Sequence, residues 1–309
     1  MSNLQPVDAI VIENLLVGAC PEREIEMRQA WQALQPKFYI KQDGDGHGLS
    51  ARGNHISWMH KSWALDWAIA ALGMHVVTAY RPHILAARAF NVPITLEALA
   101  QDTVVALAQM QMDEVIYFVR SVQKSGRLPE DWPAIIPIPG ECPDPSTNPN
   151  GKAIFDLACL AAAASMFHEL RHVQFSRERD APPLGSDEER ACDEHARAML
   201  LDKIDEYCAA TGEPYPRVLD KRIMGLATAA LCMTYEEQVG MRAAIENTHP
   251  PARERFEILL RDTGADEQAL CWEYVSCLLI HFLHSQNRLP EIIASSSAKN
   301  LTTQLIALL

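Results

Sequence analysis

Several familiar sequence features are missing from this chain of 309 residues, and the first is a paired cysteine motif. None of the eight cysteines belongs to a C-x-x-C pair, so the patterns of a thiol redox centre or a zinc ribbon are absent. Several cysteines lie in apolar stretches with helical periodicity, where cysteine is usually a small buried hydrophobe. This usage is typical of a cytoplasmic protein.

The chain also lacks a long uninterrupted apolar run. A membrane-spanning helix needs about 18 apolar residues or more, and Asp156 interrupts the longest candidate. The first eight residues, MSNLQPVD, have neither the basic start nor the apolar core of a signal peptide. We therefore expect no transmembrane segment and a cytoplasmic location.

A positive charge balance is absent as well. The formal net charge is −13 at pH 7, which argues against nucleic acid or an anionic membrane as the main partner. We expect no nucleic-acid partner.

Proline divides the sequence into three regions. Six prolines fall between residues 131 and 152, so this segment is expected to be an ordered linker without regular structure. It separates an N-terminal α+β region, residues 1–130, from a helical domain, residues 153–309. The predicted fold class is α+β and mostly α-helical, with a small N-terminal β-hairpin and helical region before a helical core.

Apolar periodicity predicts the individual elements. In the N-terminal region, residues 38–41 and 49–58 are expected to form a β-hairpin around a turn at 44–48, followed by helices over 61–80 and 96–123. In the C-terminal region we expect helices near 153–176, 187–211, 217–239, 251–261, 267–285 and 298–308.

The most informative stretch is His168-Glu169-Leu170-Arg171-His172, which reads H-E-x-x-H. On a helix, residues i and i+4 lie on one face, so both imidazoles can converge on one point. Two neutral imidazoles there would supply two ligands of a tetrahedral Zn²⁺ site. The carboxylate of Glu169 can reach a water at the metal without ligating the metal. This is the arrangement of a zinc peptidase, with Glu169 as general base.

A third ligand is predicted from the segment that follows. Ser186 has the character of an N-cap, and Glu189 stands at the capping-box position. Glu189 and Asp193 are again four residues apart, so they share a helical face. Glu189 can ligate the metal, while Asp193 can accept a hydrogen bond from the far nitrogen of a ligand histidine.

Other interpretations of this segment stay open. Its acidic residues could form an exposed first turn that the helix dipole favours. Glu188 is a rival ligand, although it does not share the four-residue spacing to Asp193. Cys192 and His195 are also near enough in sequence to ligate, but packing or support of the ligands is the better interpretation for both.

Four segments together resemble the Lit peptidases, a phage-exclusion family. Glu189 to Asp193 fits the E-x-x-A-D pattern of zinc peptidases with a glutamate ligand, except that Cys192 replaces the alanine. Residues 247–255, NTHPPARER, resemble the T-H-P-P-x-x-x-R element of that clan, and residues 221–232 resemble a helix of the Lit peptidases. With H-E-x-x-H, these elements have the order and spacing of the family from about residue 155 to 255.

The resemblance implies a zincin-like helical core and a cytoplasmic zinc endopeptidase that aborts phage infection. The family's namesake cleaves translation elongation factor Tu when a phage capsid peptide is present, so the implied partner is a protein substrate, with elongation factor Tu and a phage-derived peptide as the first candidates. Two alternatives stay open. The chain could cleave a repressor or a partner protein in another stress or defence system, or it could bind zinc without catalysis.

The resemblance also implies roles for individual residues. The zinc ligands would be His168, His172 and Glu189, with Glu169 as general base and Asp193 as the carboxylate behind the ligands. Arg255 would support the loop that carries His249. We expect His249 to stabilise the oxyanion, or else to be a fourth zinc ligand in an idle state that substrate displaces.

Overall fold

The computed structural model describes residues 4–6, 9–41, 49–125, 132–139, 142–238, 249–294 and 296–309. Its elements in chain order are β1 (Leu4–Pro6), α1 (Ala9–Ala19), α2 (Glu24–Leu34), β2 (Lys37–Lys41), β3 (Leu49–Arg52), β4 (His55–Met59), α3 (His60–Phe90), β5 (Ile94–Thr95), α4 (Leu96–Ala100), α5 (Thr103–Ser125), α6 (Pro149–Glu178), α7 (Gly185–Leu201), α8 (Ile204–Thr211), α9 (Tyr215–Gln238), α10 (Ala252–Leu260), α11 (Leu270–Ser285), β6 (Ile292–Ile293) and α12 (Ala298–Ile306). The predicted class, α+β and mostly helical, is confirmed.

The N-terminal strands form a small sheet in the order β1-β2-β4-β3. The prediction of one hairpin between 38–41 and 49–58 was wrong, because β2 pairs with β4 in parallel and the hairpin is formed by β3 and β4. Its turn is Gly53-Asn54, where glycine takes a φ of 61° that other residues adopt only at a cost. The predicted turn at 44–48 lies outside the described residues. Among the described strands, β3 is an edge.

Helix α6 is the central element of the core. It begins where the Asn148 side chain accepts a hydrogen bond from the Gly151 N–H at 2.8 Å, with Pro149 in the first turn. It ends at Arg179, which takes the left-handed conformation. Helix α6 packs on α3, α7 and α9. At Gly225 of α9 an added Cβ would lie 2.4 Å from the Leu160 Cβ, so the close crossing of α6 and α9 requires glycine.

By length and composition alone, α6 could cross a membrane. In its most apolar window, however, 67% of the residues are buried inside the protein, as in the core helix of many proteins that span no membrane. The expectation that the chain lacks a transmembrane segment stays a prediction.

Helix α7 begins differently from the prediction. Its N-cap is Leu184, in extended conformation and without a capping side chain, so Ser186 lies inside the helix and the predicted N-cap was wrong. Because the helix starts earlier, Glu189 is not at a capping-box position, and its carboxylate turns towards α6 instead. The predicted helix over 187–211 is broken into α7 and α8. Two arginines bind carbonyls near the end of α7: Arg23 donates to Ala198 and Arg222 to Leu200.

The predictions of the other helices and of the domain boundaries have different outcomes. The helices predicted after residue 150 correspond to α6 through α12, whereas α1 and α2 were missed. One continuous set of buried apolar side chains extends from Ile12 to Ile306. The division at residues 130 and 153 stays a prediction.

Candidate active site

Helices α6 and α7 bring the three predicted metal ligands together. The Nε2 atoms of His168 and His172 are 3.2 Å apart. The two carboxylate oxygens of Glu189 reach both rings, with Oε2 3.3 Å from the Nε2 of His168 and Oε1 3.3 Å from the Nε2 of His172. All three side chains thus converge on one point.

These separations fit a tetrahedral zinc ion. Ligand atoms about 2.0–2.1 Å from such an ion lie about 3.3–3.4 Å from each other. The buried Oε2 atom of Glu189 lies 3.3 Å from Nε2 of His168, but it makes no well-aligned hydrogen bond with any residue that the structure describes. A buried carboxylate oxygen without a good hydrogen bond is costly, and a cation among the three side chains would satisfy it. The residues present therefore fit the metal that the motif implies.

The far nitrogen of His168 is held by a buried ion pair. Its Nδ1 lies 2.9 Å from Asp193 Oδ1. Arg255 of α10 binds the same carboxylate with two nitrogens, Nε at 2.9 Å and Nη2 at 2.7 Å. Asp193 and Arg255 are both almost fully buried. With Nδ1 held by Asp193, Nε2 is the nitrogen that faces the cluster and is available to a metal.

The far nitrogen of His172 has a different partner that the sequence analysis did not assign. Its Nδ1 lies 2.7 Å from Glu188 Oε1. Glu188 was considered only as a rival metal ligand. The sequence held one indication of this role. Each of the two ligand histidines needs its own hydrogen-bond acceptor, and Asp193 can face only one of them.

The carboxylates dominate the electrostatics of the cluster. Burial lowers the pKa of His168, but the nearby carboxylates of Asp193 and Glu189 outweigh it and raise the pKa to about 9. The same opposition, with Glu189 and Glu169 acting against burial, raises the pKa of His172 to about 9. Burial opposes ionisation of Glu189, yet the two histidines hold the pKa of its carboxyl far below the ordinary value. The site is built to hold positive charge.

Cys192 and His195 are weaker candidates for the third ligand. The Cys192 Sγ lies within 4.8 Å of ligand atoms of His168 and His172, whereas Glu189 places one carboxylate oxygen 3.3 Å from each ring. Burial raises the pKa of the Cys192 thiol to about 12, whereas a metal ligand must be a thiolate. Burial and the Arg171 charge lower the pKa of His195 to about 4, the opposite of the shift at the two converging histidines.

Glu169 lies beside the cluster and is also buried. Burial raises the pKa of its carboxyl above the ordinary value, against the lowering effect of His168 and His172. The backbone N–H of Ala51 in β3 donates a hydrogen bond to it. The edge strand therefore runs next to the predicted base, a contact that no sequence pattern indicated.

A cavity of about 240 Å³ opens at these residues, and His249 forms part of its wall. The Nε2 of His249 is 3.3 Å from Glu189 Oε1. The loop before α10 thus places this imidazole beside the converging atoms, as the resemblance implied. The preceding Asn247 and Thr248 lie outside the described residues.

Comparison with known proteins shows that the chain is similar to peptidases. The family described as Peptidase U49 matches residues 56–275. A curated relative, the cell death peptidase of Escherichia coli (strain K12), is 29% identical over 184 residues, which cover 57% of this chain and 55% of that protein. The chain thus spans about half the length of the curated relative that it matches. No solved structure matches the chain significantly.

The family match covers more than two thirds of the chain and includes the three predicted ligands, Glu169 and His249. Together with the curated relative, it confirms the resemblance to the Lit peptidases. The chain belongs to the Peptidase U49 family.

Proposed function

We propose that this protein is a zinc-dependent endopeptidase of the cytoplasm that cleaves a host protein during phage infection. The proposal rests on the convergence of His168, His172 and Glu189, with Glu169 beside them. The distances between their ligand atoms match those between the ligands of a tetrahedral zinc ion. The family match supports the peptidase activity, and the name of the curated relative supports a role in cell death.

Zinc bound by His168, His172 and Glu189 would polarise the scissile carbonyl and make a nearby water acidic. Glu169 accepts the proton of the attacking water and passes it to the leaving amine. Its raised pKa suits this exchange, because a base whose pKa approaches the working pH can both take up and release a proton. Asp193 keeps His168 in the tautomer whose Nε2 can ligate.

His249 is proposed to donate a hydrogen bond to the developing oxyanion. Such a donor is worth about 2.7–4 kcal/mol in other enzymes. Its 3.3 Å separation from Glu189 also suits a fourth metal ligand in an idle state. The two roles differ in outcome: His249→Ala lowers kcat if the imidazole is the donor, and raises basal cleavage if it blocks the metal.

The substrate is proposed to be a protein, bound in extended form along β3. Edge strands pair with extended peptides through backbone hydrogen bonds, and β3 adjoins both Glu169 and the cavity. Apolar residues such as Ala164, Ala229 and Leu259 line much of that cavity, which suits an apolar side chain next to the scissile bond. Elongation factor Tu, with a phage-derived peptide as activator, is the first substrate to test.

The experiment compares wild-type protein with Glu169→Gln in cells under phage challenge. New protein N-termini are identified by mass spectrometry, and purified elongation factor Tu is then incubated with each protein, with and without phage-derived peptides. Wild type should generate at least one new N-terminus that Glu169→Gln does not, while both proteins retain zinc. Identical sets of N-termini would refute the peptidase proposal, and loss of zinc from Glu169→Gln would refute the role of the base.

A further inference from the structure

We propose that Glu188 is the positioning residue for His172, and that it fixes the ring orientation in which Nε2 can ligate zinc. The inference rests on the proposed function, because it concerns a ligand of the proposed metal. It assigns a task to a residue that neither the H-E-x-x-H pattern nor the E-x-x-x-D pattern includes.

The geometry behind the proposal is a clamp made by two consecutive residues. Glu188 Oε1 lies 2.7 Å from Nδ1 of His172, and Glu189 Oε1 lies 3.3 Å from Nε2 of the same ring. Successive side chains on a helix point about 100° apart, so neighbours in the first part of α7 can reach opposite edges of one imidazole. One turn of α7 thus supplies a candidate ligand for the metal and an acceptor for another ligand.

His172 needs such an acceptor more than His168 does. The His172 side chain is 18% exposed against 9% for His168, so water competes more readily for its far nitrogen. His168 is held by Asp193, which Arg255 clamps in turn. Without an acceptor, the ring of His172 can rotate about its side-chain torsions or take the other tautomer. Rotation turns Nε2 away from the metal, and in the other tautomer Nε2 carries the proton and has no lone pair to donate.

The alternative interpretation is that Glu188 and His172 form only a solvated ion pair. The Glu188 side chain is 28% exposed, and a partly exposed carboxylate near a histidine contributes little to stability. The two interpretations differ in what a neutral or a displaced acceptor does. A positioning residue needs its oxygen at the right place and does not need its charge, whereas an ion pair needs the charge.

The test uses Glu188→Ala, Glu188→Gln and Glu188→Asp, with Asp187→Ala as a control from the same turn. Zinc affinity is measured by competition with a chromophoric chelator, and the visible spectrum is recorded after loading with Co²⁺. Glu188→Ala and Glu188→Asp should lose about tenfold or more in zinc affinity, as for other acceptors behind metal ligands. They should also shift the Co²⁺ absorption bands. Glu188→Gln, whose amide oxygen still accepts from Nδ1–H, should stay near wild type.

Two results would overturn the inference. The first is a zinc affinity of Glu188→Ala and Glu188→Asp equal to that of Asp187→Ala. The second is a loss in Glu188→Gln as large as in Glu188→Ala, since charge alone would then matter. If Glu188→Ala does not fold, the zinc affinity of Glu188→Asp decides the question. That variant keeps the negative charge that is favourable in the first turn of a helix. Failure of the wild type to bind zinc would instead refute the proposed function.

Discussion

Two pairs of histidines, each with one buried member, lie on two helices and show how the surroundings decide what such a pair can do. His168 and His172 on α6 face carboxylates from α7, which raise the pKa of both to about 9. His281 and His284 on α11 face the phenol of Tyr80 instead, and His284 also contacts the side-chain amide of Gln109. Tyr80 Oη lies 3.4 Å from Nδ1 of His281 and 3.2 Å from that of His284.

The pKa of the α11 pair moves in the opposite direction. Burial, and then the charge of His284, lower the pKa of His281 to about 3, and burial lowers that of His284. The α11 pair is a neutral part of the core, whereas the α6 pair is held ready for a cation. Two histidines on one helix face therefore do not make a metal site, and the carboxylates that face them make the difference.

The largest effect should follow removal of the charge that faces the α6 pair. Glu189→Gln removes the anionic ligand and should abolish cleavage, with a loss in zinc affinity larger than the about 10–100-fold typical for partners behind the ligands. Zinc content by mass spectrometry and peptidase activity measure this. Glu194→Gln on the same helix, which pairs with Arg261 at the surface, is the control. Full zinc content in Glu189→Gln would contradict the ligand assignment.

A smaller effect should follow loss of the buried Asp193–Arg255 ion pair behind His168. Arg255→Met removes the cationic partner of the buried Asp193 and leaves it only the contact with His168, which should cost about 3 kcal/mol in the free energy of unfolding. It should also weaken zinc binding. Urea unfolding and chelator competition report the two effects. Arg253→Met, on the same helix but in an exposed pair with Glu257, should cost less than about 0.5 kcal/mol. Equal losses of unfolding free energy in both variants would show that the buried Asp193–Arg255 ion pair has no special role.

The smallest effect concerns the α11 pair and appears only in acid. Because the folded-state pKa of His281 is about 3, the unfolded chain takes up a proton below its ordinary pKa of about 6.5 while the folded protein does not. The stability that depends on neutral His281 is present above pH 6.5 and is lost as pH falls towards 3. At pH 5 the loss amounts to about 2 kcal/mol.

Unfolding of wild type and His281→Leu between pH 7 and pH 4.5 tests this prediction. The free energy of unfolding of the wild type should fall more steeply with decreasing pH than that of His281→Leu, after each is referred to its own value at pH 7. Parallel curves would mean that His281 binds a proton as readily in the folded protein as in the unfolded chain, and the contrast between the two pairs would fail.

The sequence predicted those parts of the molecule that depend on short-range periodicity. The ligand spacing of His168 and His172 and most C-terminal helices follow from helical geometry alone. Asp193 could be assigned because it lies four residues from Glu189 on the same helix. The mixed sheet could not be predicted, because the parallel pairing of β2 with β4 depends on contacts between strands that are not adjacent in sequence.

The partners of the site were partly hidden for the same reason. The contacts of Glu188 with His172 and of Ala51 with Glu169 depend on how α7 and β3 lie against α6. No periodicity encodes that arrangement. The predicted start of α7 was wrong because Ser186 has the side chain of an N-cap, whereas Leu184 has the backbone conformation of one.

The most direct test of the central claim is a crystal structure of the zinc-loaded protein with anomalous scattering measured at the zinc edge. The account predicts one peak about 2.0–2.2 Å from the Nε2 atoms of His168 and His172 and from a carboxylate oxygen of Glu189. A peak ligated by Cys192 Sγ in place of Glu189, or no peak between α6 and α7, would contradict it.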